Sequence, residues 1–360
     1  MSDAFGRGPA FAIGVEEELI LVDPTTHAIA HDAVAVLDRM DVATHDGEAK
    51  PDTYAAMIEL VSPVCADAGE AARTLAALRG RVRAAGGTAI AAGIHPDGAF
   101  GDVEHFPARR YELLADQLRG LLRRTPTAAV HVGMPDAETA IRVANGLREH
   151  LPVLQALAAA SPFWHGRDSG LCTARAPLFR AYRGAEIPRA FSSYADYEDE
   201  IEQTVAFGGL PDYTFVWWDV RPHPQLGTVE VRAMDAQSAL SSTAALAALV
   251  HGLARHEADG RAPWTSRAAL AEASFAAARD GLEARLPLDG ALRPAPEVVR
   301  ATLDLARPHA RELGSADALD GIERLLREGN GADRQRAAHR RGGMAALLGL
   351  LVDETAAGSA

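Results

Sequence analysis

Several short segments of the chain alternate between apolar and polar residues, the pattern of strands that are buried on one face. The clearest lies at 228–234, where alternation predicts one face with Thr228, Glu230, Arg232 and Met234 and an opposite face with Val229, Val231 and Ala233. Further strands are predicted at 11–22, 54–62, 88–94, 127–133 and 213–220. Pro222, Pro224 and Gly227 predict a turn between the last two strands.

Other segments repeat apolar residues at helical spacing. Asp67 and Asp136 each precede such a segment and are predicted to cap its first turn. Helices are predicted at 32–40, 67–85, 109–124, 136–160 and 193–207. The region 161–190 is rich in loop residues. Everything from residue 236 onward is predicted to be helical, with breaks at 258–265, 286–296, 313–315 and 329–332.

The distribution of strands among helices favours the α+β class. The strands finish by about residue 235, and several alternate like half-exposed strands instead of forming continuous apolar runs. This pattern favours a mainly antiparallel sheet over a doubly wound parallel one. We predict a catalytic sheet-and-helix core over residues 1–260 and a C-terminal helical region over 261–360 that packs on the same domain.

Composition excludes several classes of protein. With 360 residues and 48% hydrophobic residues, the chain can bury a large core. A net charge of −13 disfavours nucleic acid or an anionic membrane as the main partner. Cys65 and Cys172 form no CxxC pair, no apolar signal segment opens the chain, and no stretch is apolar enough to span a membrane. We therefore expect a soluble, cytoplasmic protein.

Acidic and imidazole side chains recur inside the predicted strands. If these strands share one sheet, the side chains converge on one surface, where like charges repel unless a cation lies among them or some are protonated. Carboxylates with one imidazole suit Mg²⁺ or Mn²⁺ better than Zn²⁺. The candidate metal ligands are Glu16, Glu18, Glu59, His131 and Glu230.

Two arginines lie beside acidic residues in the same strand pair. Arg221 follows Asp219 and Arg232 follows Glu230, each two positions later. They could form structural ion pairs, or they could neutralise a phosphate during its transfer. The only lysine, Lys50, is not part of a GxxxxGK loop, and the chain has no HExxH or GxSxG motif and no GxGxxG after a strand.

A series of motifs resembles the carboxylate–amine ligases of the type 2 glutamate–cysteine ligase family. They are Gly14-Val-Glu-Glu-Glu-Leu, Met57-Ile-Glu-Leu, His95-Pro96, His131-Val-Gly, Ala160-Ser-Pro-Phe and the long Trp218-Asp-Val-Arg-Pro…Gly-Thr-Val-Glu-Val-Arg-Ala-Met-Asp235. The resemblance implies a glutamine-synthetase-like fold, in which a curved antiparallel sheet cups the active site with helices behind it. It also implies ATP, Mg²⁺ (with Mn²⁺ as a substitute), small-molecule substrates and a homodimer.

The resemblance also implies roles for individual residues. It places the five candidate metal ligands on the metal-binding and catalytic surface, with Glu230 also catalytic. Arg232 and Arg221 would be catalytic and would contact the ATP phosphates or the substrate carboxylate.

Two positions depart from the pattern of this family. Many relatives carry a second histidine where this chain has Ala129, and another glutamate within the segment that begins at Thr53. The prediction is an ATP-dependent ligase that forms an amide through an acyl phosphate, similar to a glutamate–cysteine ligase. A ligase with another amine acceptor, a phosphoryl transferase, a metal-dependent hydrolase and a non-catalytic paralogue are the alternatives.

Overall fold

The computed structural model describes residues 3–40, 46–99, 104–118, 126–260 and 264–357. The strands are β1 (Ile13–Leu21), β2 (Glu48–Pro51), β3 (Met57–Val61), β4 (Ala89–Ile90), β5 (Thr127–Gly133), β6 (Phe163–Trp164), β7 (Arg167–Asp168), β8 (Val220–His223), β9 (Thr228–Asp235), β10 (Arg285–Leu288) and β11 (Ala291–Pro294). The helices are α1 (Ala33–Arg39), α2 (Ala68–Ala84), α3 (Arg109–Leu118), α4 (Ala137–Ala158), α5 (Arg175–Phe179), α6 (Tyr194–Gly208), α7 (Leu240–Asp259), α8 (Arg267–Asp280), α9 (Ala295–Glu312), α10 (Ala316–Leu319), α11 (Gly321–Glu328) and α12 (Gly331–Ala357).

Seven of these strands form the central sheet. The order is β2-β3-β1-β5-β9-β8, and the short β4 pairs with the end of β1 on the edge opposite β3. Every pairing between named strands of this sheet is antiparallel. The predicted α+β class with a mainly antiparallel sheet is confirmed.

The two faces of the sheet have different surroundings. One face is apolar and packs against α2, α4 and α7. Val15 on β1 and Val130 on β5 are buried there with Leu75 of α2, Leu147 of α4 and Leu246 of α7. The other face carries Glu16, Glu18, Glu59 and Glu230, because side chains alternate between faces along each strand, whereas Glu17 lies on the apolar face.

Two capping predictions are confirmed. The Asp67 side chain accepts a hydrogen bond from the backbone N–H of Glu70 (2.8 Å), and the Asp136 side chain accepts one from the backbone N–H of Thr139 (2.7 Å). Each carboxylate satisfies an N–H that has no partner within its helix.

Residues 213–220 do not form the predicted strand. Tyr213–Phe215 is a short 3₁₀ helix, and the strand begins only at Val220. The aromatic residues of this segment pack into a cluster instead of alternating across a sheet: the Trp218 ring lies 5.5 Å from that of Phe191. Pro222, predicted to belong to the turn, lies in β8, where a missing N–H is tolerated because β8 is an edge strand.

The prediction for Met234 is also wrong. Val130 pairs with Val231 but Ala128 pairs with Met234. Between these two pairs the chain advances three residues along β9 but only two along β5. This β-bulge reverses the alternation beyond Arg232. Met234 is therefore buried in the apolar core with Val231, not on the charged face.

The C-terminal region contains two strands, although the strands were predicted to finish by about residue 235. β10 and β11 form a hairpin within the predicted break at 286–296. Its turn residues, Asp289 and Gly290, have φ values of 49° and 75°, as a two-residue hairpin turn requires. Helix α9 packs on α7, and α12, which is broken at Gly342 and Gly343, packs on β4 and α2. The boundary at residue 260 remains a prediction.

Other boundaries differ from the predicted ones. The strand predicted at 88–94 is reduced to β4, and the loop-rich 161–190 region contains the β6–β7 hairpin and α5. Part of the helix predicted at 109–124 lies outside the described residues. Within the described ranges, no helix is both long and apolar enough to cross a membrane.

Candidate active site

The register of the sheet brings acidic residues from separate strands together. Glu18 on β1 is directly opposite Glu59 on β3, and Glu59 is opposite Lys50 on β2. Directly opposite residues in an antiparallel pair point to the same face, with Cβ atoms about 5 Å apart. Two carboxylates and the only lysine of the chain therefore form one row, with Lys50 Nζ 3.2 Å from Glu59 Oε2.

A second row crosses the other half of the sheet. Gly14 on β1 is opposite His131 on β5, His131 is opposite Glu230 on β9, and Glu230 is opposite Arg221 on β8. Glu16 lies between the two rows, and its Oε1 is 3.5 Å from His131 Nε2. The lack of a side chain at Gly14 leaves space over this part of the sheet.

These rows line a cavity of about 450 Å³, which we call the charged cavity. Its volume is within the range of small-molecule sites, roughly 300–1,000 Å³. All seven residues predicted from the sequence contribute to its lining: Glu16, Glu18, Glu59, His131, Arg221, Glu230 and Arg232. The structure thus brings the predicted residues together, while their individual roles remain predictions.

Glu230 is held between the two predicted arginines. Arg221 Nε donates a hydrogen bond to Glu230 Oε2 (2.7 Å), and Arg232 Nη1 donates one to Oε1 (3.0 Å). Burial disfavours the Glu230 carboxylate, but the two guanidinium groups outweigh this effect and lower its pKa. Arg221 also donates to the backbone oxygen of Val216 (2.6 Å), so it is firmly positioned.

Arg232 lines the charged cavity and keeps donor capacity beyond its bond to Glu230. Within the described residues, its Nε has no hydrogen-bond partner although the atom is buried. Its Cζ lies 5.9 Å from the centre of the Phe179 ring, which supports the guanidinium from α5. A buried cation with an unused N–H is suited to bind an anionic group.

The Glu16–His131 pair carries opposite charges. Burial disfavours both ions, but their mutual attraction lowers the pKa of Glu16 to about 2 and raises the pKa of His131. His131 Nδ1 is hydrogen-bonded to Thr228 Oγ1 (3.1 Å), which fixes the ring. Its Nε2 makes no hydrogen bond to any described residue and points to the Glu16 side of the cavity.

Glu18 and Glu59 experience an excess of negative charge. Burial, followed by the nearby Asp52 carboxylate, raises the pKa of Glu18 to about 8. Burial and the Glu16 carboxylate raise the pKa of Glu59 well above its usual value. Crowded carboxylates of this kind favour either protonation or a bound cation.

This crowding predicts how stability depends on pH. Because the pKa of Glu18 is about 8 in the folded protein and 4.5 ordinarily, its contribution to stability is present below pH 4.5 and lost as the pH rises through 8. In buffer without divalent cations, we expect the stability of the Glu18→Gln variant relative to the unmodified protein to rise between pH 4.5 and about 8 and to stay constant above this range. Urea unfolding at a series of pH values measures this difference, and an equal difference at every pH would contradict the prediction.

Sequence reasoning missed several residues that line the charged cavity. Arg175, on α5, is buried with its Cζ 5.1 Å from the centre of the Phe179 ring. Lys50 and Asp52 reach the cavity because the short β2 pairs with β3. Lys50 was noticeable because it is the only lysine in the sequence, but the sequence did not predict that β2 pairs with β3 beside Glu59.

Other buried acidic residues have structural partners. Asp235 accepts hydrogen bonds from Ser161 Oγ (2.7 Å), Thr173 Oγ1 (2.9 Å) and the backbone N–H of Ala160 (2.9 Å). Asp219 forms an ion pair with Arg180. Neither aspartate lines the charged cavity.

In the described ranges, no three His, Cys, Asp or Glu residues are grouped closely enough to hold a metal ion by themselves. This arrangement is compatible with Mg²⁺, which commonly binds through one or two carboxylates together with substrate phosphates. The raised pKa values of Glu18 and Glu59 fit a cation in this cavity.

Known proteins share the fold and much of the sequence. The profile of glutamate–cysteine ligase family 2 matches residues 12–349. The crystal structure of a glutamate–cysteine ligase from Francisella tularensis, solved in complex with AMP, matches with a TM-score of 0.72 at 12% identity, covering 98% of this chain and 89% of that one. At this identity the likeness establishes the fold, which is the glutamine-synthetase-like one expected from the sequence.

Relatives at higher identity match over nearly their whole length. A protein of Rubrobacter xylanophilus named "Putative glutamate–cysteine ligase 2-3" is 38% identical, with 99% of this chain and 100% of the relative covered. A similarly named protein of Rhodospirillum rubrum is 35% identical, with 94% and 92% covered. The chain therefore belongs to glutamate–cysteine ligase family 2.

Proposed function

We propose that this protein is an ATP-dependent carboxylate–amine ligase similar to a glutamate–cysteine ligase, which forms an amide through an acyl phosphate. The observation that carries the proposal is the charged cavity, where two arginines held by Glu230 face a group of carboxylates and one imidazole. Phosphoryl transfer depends mainly on positioning of the reactants and on neutralisation of phosphate charge. The cavity contains arginines that can neutralise this charge and fixed side chains that can position the reactants.

In the first step, an oxygen of the acid's carboxylate attacks the γ-phosphorus of ATP. A new P–O bond forms, the bond to the β-phosphate oxygen breaks, and ADP leaves. Arg232 would contact the transferred phosphoryl group through its unused Nε–H, and Arg221 would hold Glu230 and the neighbouring phosphate region in place. Losing one such charge contact lowers rates by roughly two to three decades in other enzymes.

In the second step, the amine nitrogen attacks the acyl carbon. The C–N bond forms, the C–O bond to phosphate breaks, and the nitrogen releases its proton. A carboxylate of the cavity lining would accept this proton as a general base. Arg232 would stabilise the phosphate as it leaves.

A divalent cation fits the same site. Glu16, Glu18, Glu59, His131 and Glu230 would hold Mg²⁺, or Mn²⁺ in its place, sharing the ions with the phosphates. When bound, the metal would neutralise phosphate charge. The residues themselves would orient the phosphates and limit the access of water, since His131 and Glu230 are buried and the three other glutamates are partly buried.

ADP release from pairs of an acid and an amine tests the proposal. We expect release that requires both substrates, with mass spectrometry showing an amide and free phosphate. A phosphorylated acid as the final product would instead indicate a phosphoryl transferase, and turnover without ATP would indicate a hydrolase. The predicted homodimer rests on the family resemblance, and the predicted cytoplasmic location rests on the composition of the sequence; both remain predictions.

A further inference from the structure

A second, apolar cavity adjoins the charged cavity. Its volume is about 230 Å³, and it lies where β1 and β5 approach the turn between β8 and β9. Glu16, His131 and Leu226 line both cavities, so the two share a boundary. The rest of the lining is mainly apolar side chains and backbone, and includes Pro9, Ile13, Val61, Val64 and Met134.

The charged cavity, of about 450 Å³, matches the anionic reactants in charge. In the second step the acyl phosphate and the amine must be in contact. The phosphates and the acid are anionic and match the arginines, the lysine and a bound cation. The side chain of the amine acceptor therefore needs a different part of the site.

The lining of the apolar cavity favours an apolar group. Apart from the shared Glu16 and His131, no charged side chain among the described residues lines it. A charged substituent placed there would lose hydration without gaining a partner. An aliphatic or aromatic group would instead gain free energy in proportion to the apolar area that it buries.

We propose that the apolar cavity binds the side chain of the amine acceptor, which is an amino acid or amine with an aliphatic or aromatic side chain. Its amino group then lies at the boundary marked by Glu16 and His131 and faces the acyl group in the charged cavity. This inference rests on the proposed ligase function and names its acceptor class.

The test compares leucine with asparagine, which has a polar side chain of similar size. Hydroxylamine serves as the reference acceptor. It has no side chain to bind in the apolar cavity, and it traps an acyl phosphate as a hydroxamate. With the acid that gives the most hydroxamate, we expect kcat/KM for leucine to exceed that for asparagine by about tenfold or more.

A cavity-filling variant makes the test specific to the site. Val61 is half-buried at the end of β3, and Val61→Phe should lower the ratio of leucine amide to hydroxamate formation by about tenfold. Val34→Phe makes the same change at an exposed position on α1 and should leave this ratio unchanged. If Val61→Phe does not fold, Val64→Asp at the exposed rim should lower the ratio in the same direction.

The outcomes separate the two proposals. If hydroxamate forms but leucine is no better than asparagine, or if the Val61 and Val64 variants leave the ratio unchanged, the acceptor inference is wrong and the ligase function stands. If neither hydroxamate nor ADP forms with any acid, both the ligase function and the acceptor inference are overturned.

Discussion

Replacing Glu230 with glutamine is expected to lower ATP-dependent turnover by at least about two decades. The carboxylate accepts hydrogen bonds from Arg221 and Arg232 and lies opposite His131. Glutamine keeps the size of the side chain and one acceptor, but it removes the charge that positions both guanidinium groups and that would help to bind a metal. Initial rates of ADP release and the affinity for Mg·ATP by calorimetry measure the effect.

A matched control separates catalysis from stability. Asp219 is a buried carboxylate that pairs with Arg180 in the same part of the chain but does not line the charged cavity. Removing the charge of either residue leaves arginine without its partner, so both variants should unfold at lower temperature. We expect Asp219→Asn to keep most of its activity well below its melting temperature. Full activity of Glu230→Gln would show that the site is wrongly assigned.

The second large effect is expected at Arg79, in α2, which is remote from the chemistry. Its guanidinium pairs with the fully buried Glu17 of β1, with Nε 2.7 Å from Glu17 Oε2. It also donates to the backbone oxygens of Gln237 (2.7 Å), Ser238 (2.8 Å) and Thr355 (3.3 Å). One side chain therefore connects β1, the segment after β9 and the C-terminal helix.

Arg79→Met should lower the free energy of unfolding by about 3–5 kcal/mol, because it leaves the Glu17 carboxylate buried without its counter-ion. The double variant Glu17→Met with Arg79→Met should recover much of this loss, since no unpaired charge remains. Asp259→Asn, which removes an exposed pair with Arg255, should change stability by less than about 1 kcal/mol. Urea unfolding followed by circular dichroism compares the four proteins, and a loss below about 1 kcal/mol for Arg79→Met would refute the prediction.

The sequence predicted the charged face of the sheet better than its edges. Alternation along 11–22 in the sequence places Glu16 and Glu18 on one face and Glu17 on the other, and the structure has them so. It could not predict that Glu17 meets Arg79, because that contact joins residues 62 positions apart. A carboxylate on an otherwise apolar face indicated only that some buried cation was needed.

Other differences have local physical causes. The bulge in β9 shifts Met234 into the core, and no residue in that strand marks a bulge as glycine often does. The aromatic residues before β8 have high strand propensity, but packing among their rings overrides it. The β10–β11 hairpin could have been predicted, since Asp289-Gly290 is a common two-residue turn.

The strand order has a consequence for folding kinetics. Neighbouring site residues are far apart in the chain: His131 is opposite Gly14, and it is also opposite Glu230. The entropy cost of closing such long loops arises before the stabilising contacts between the strands can form. Sheets of this kind therefore fold slowly. No stretch of chain released early in synthesis contains more than part of the charged cavity. Catalytic competence should therefore appear late, in step with the completion of β9, and the nascent enzyme should be inactive until more than half of the chain has emerged.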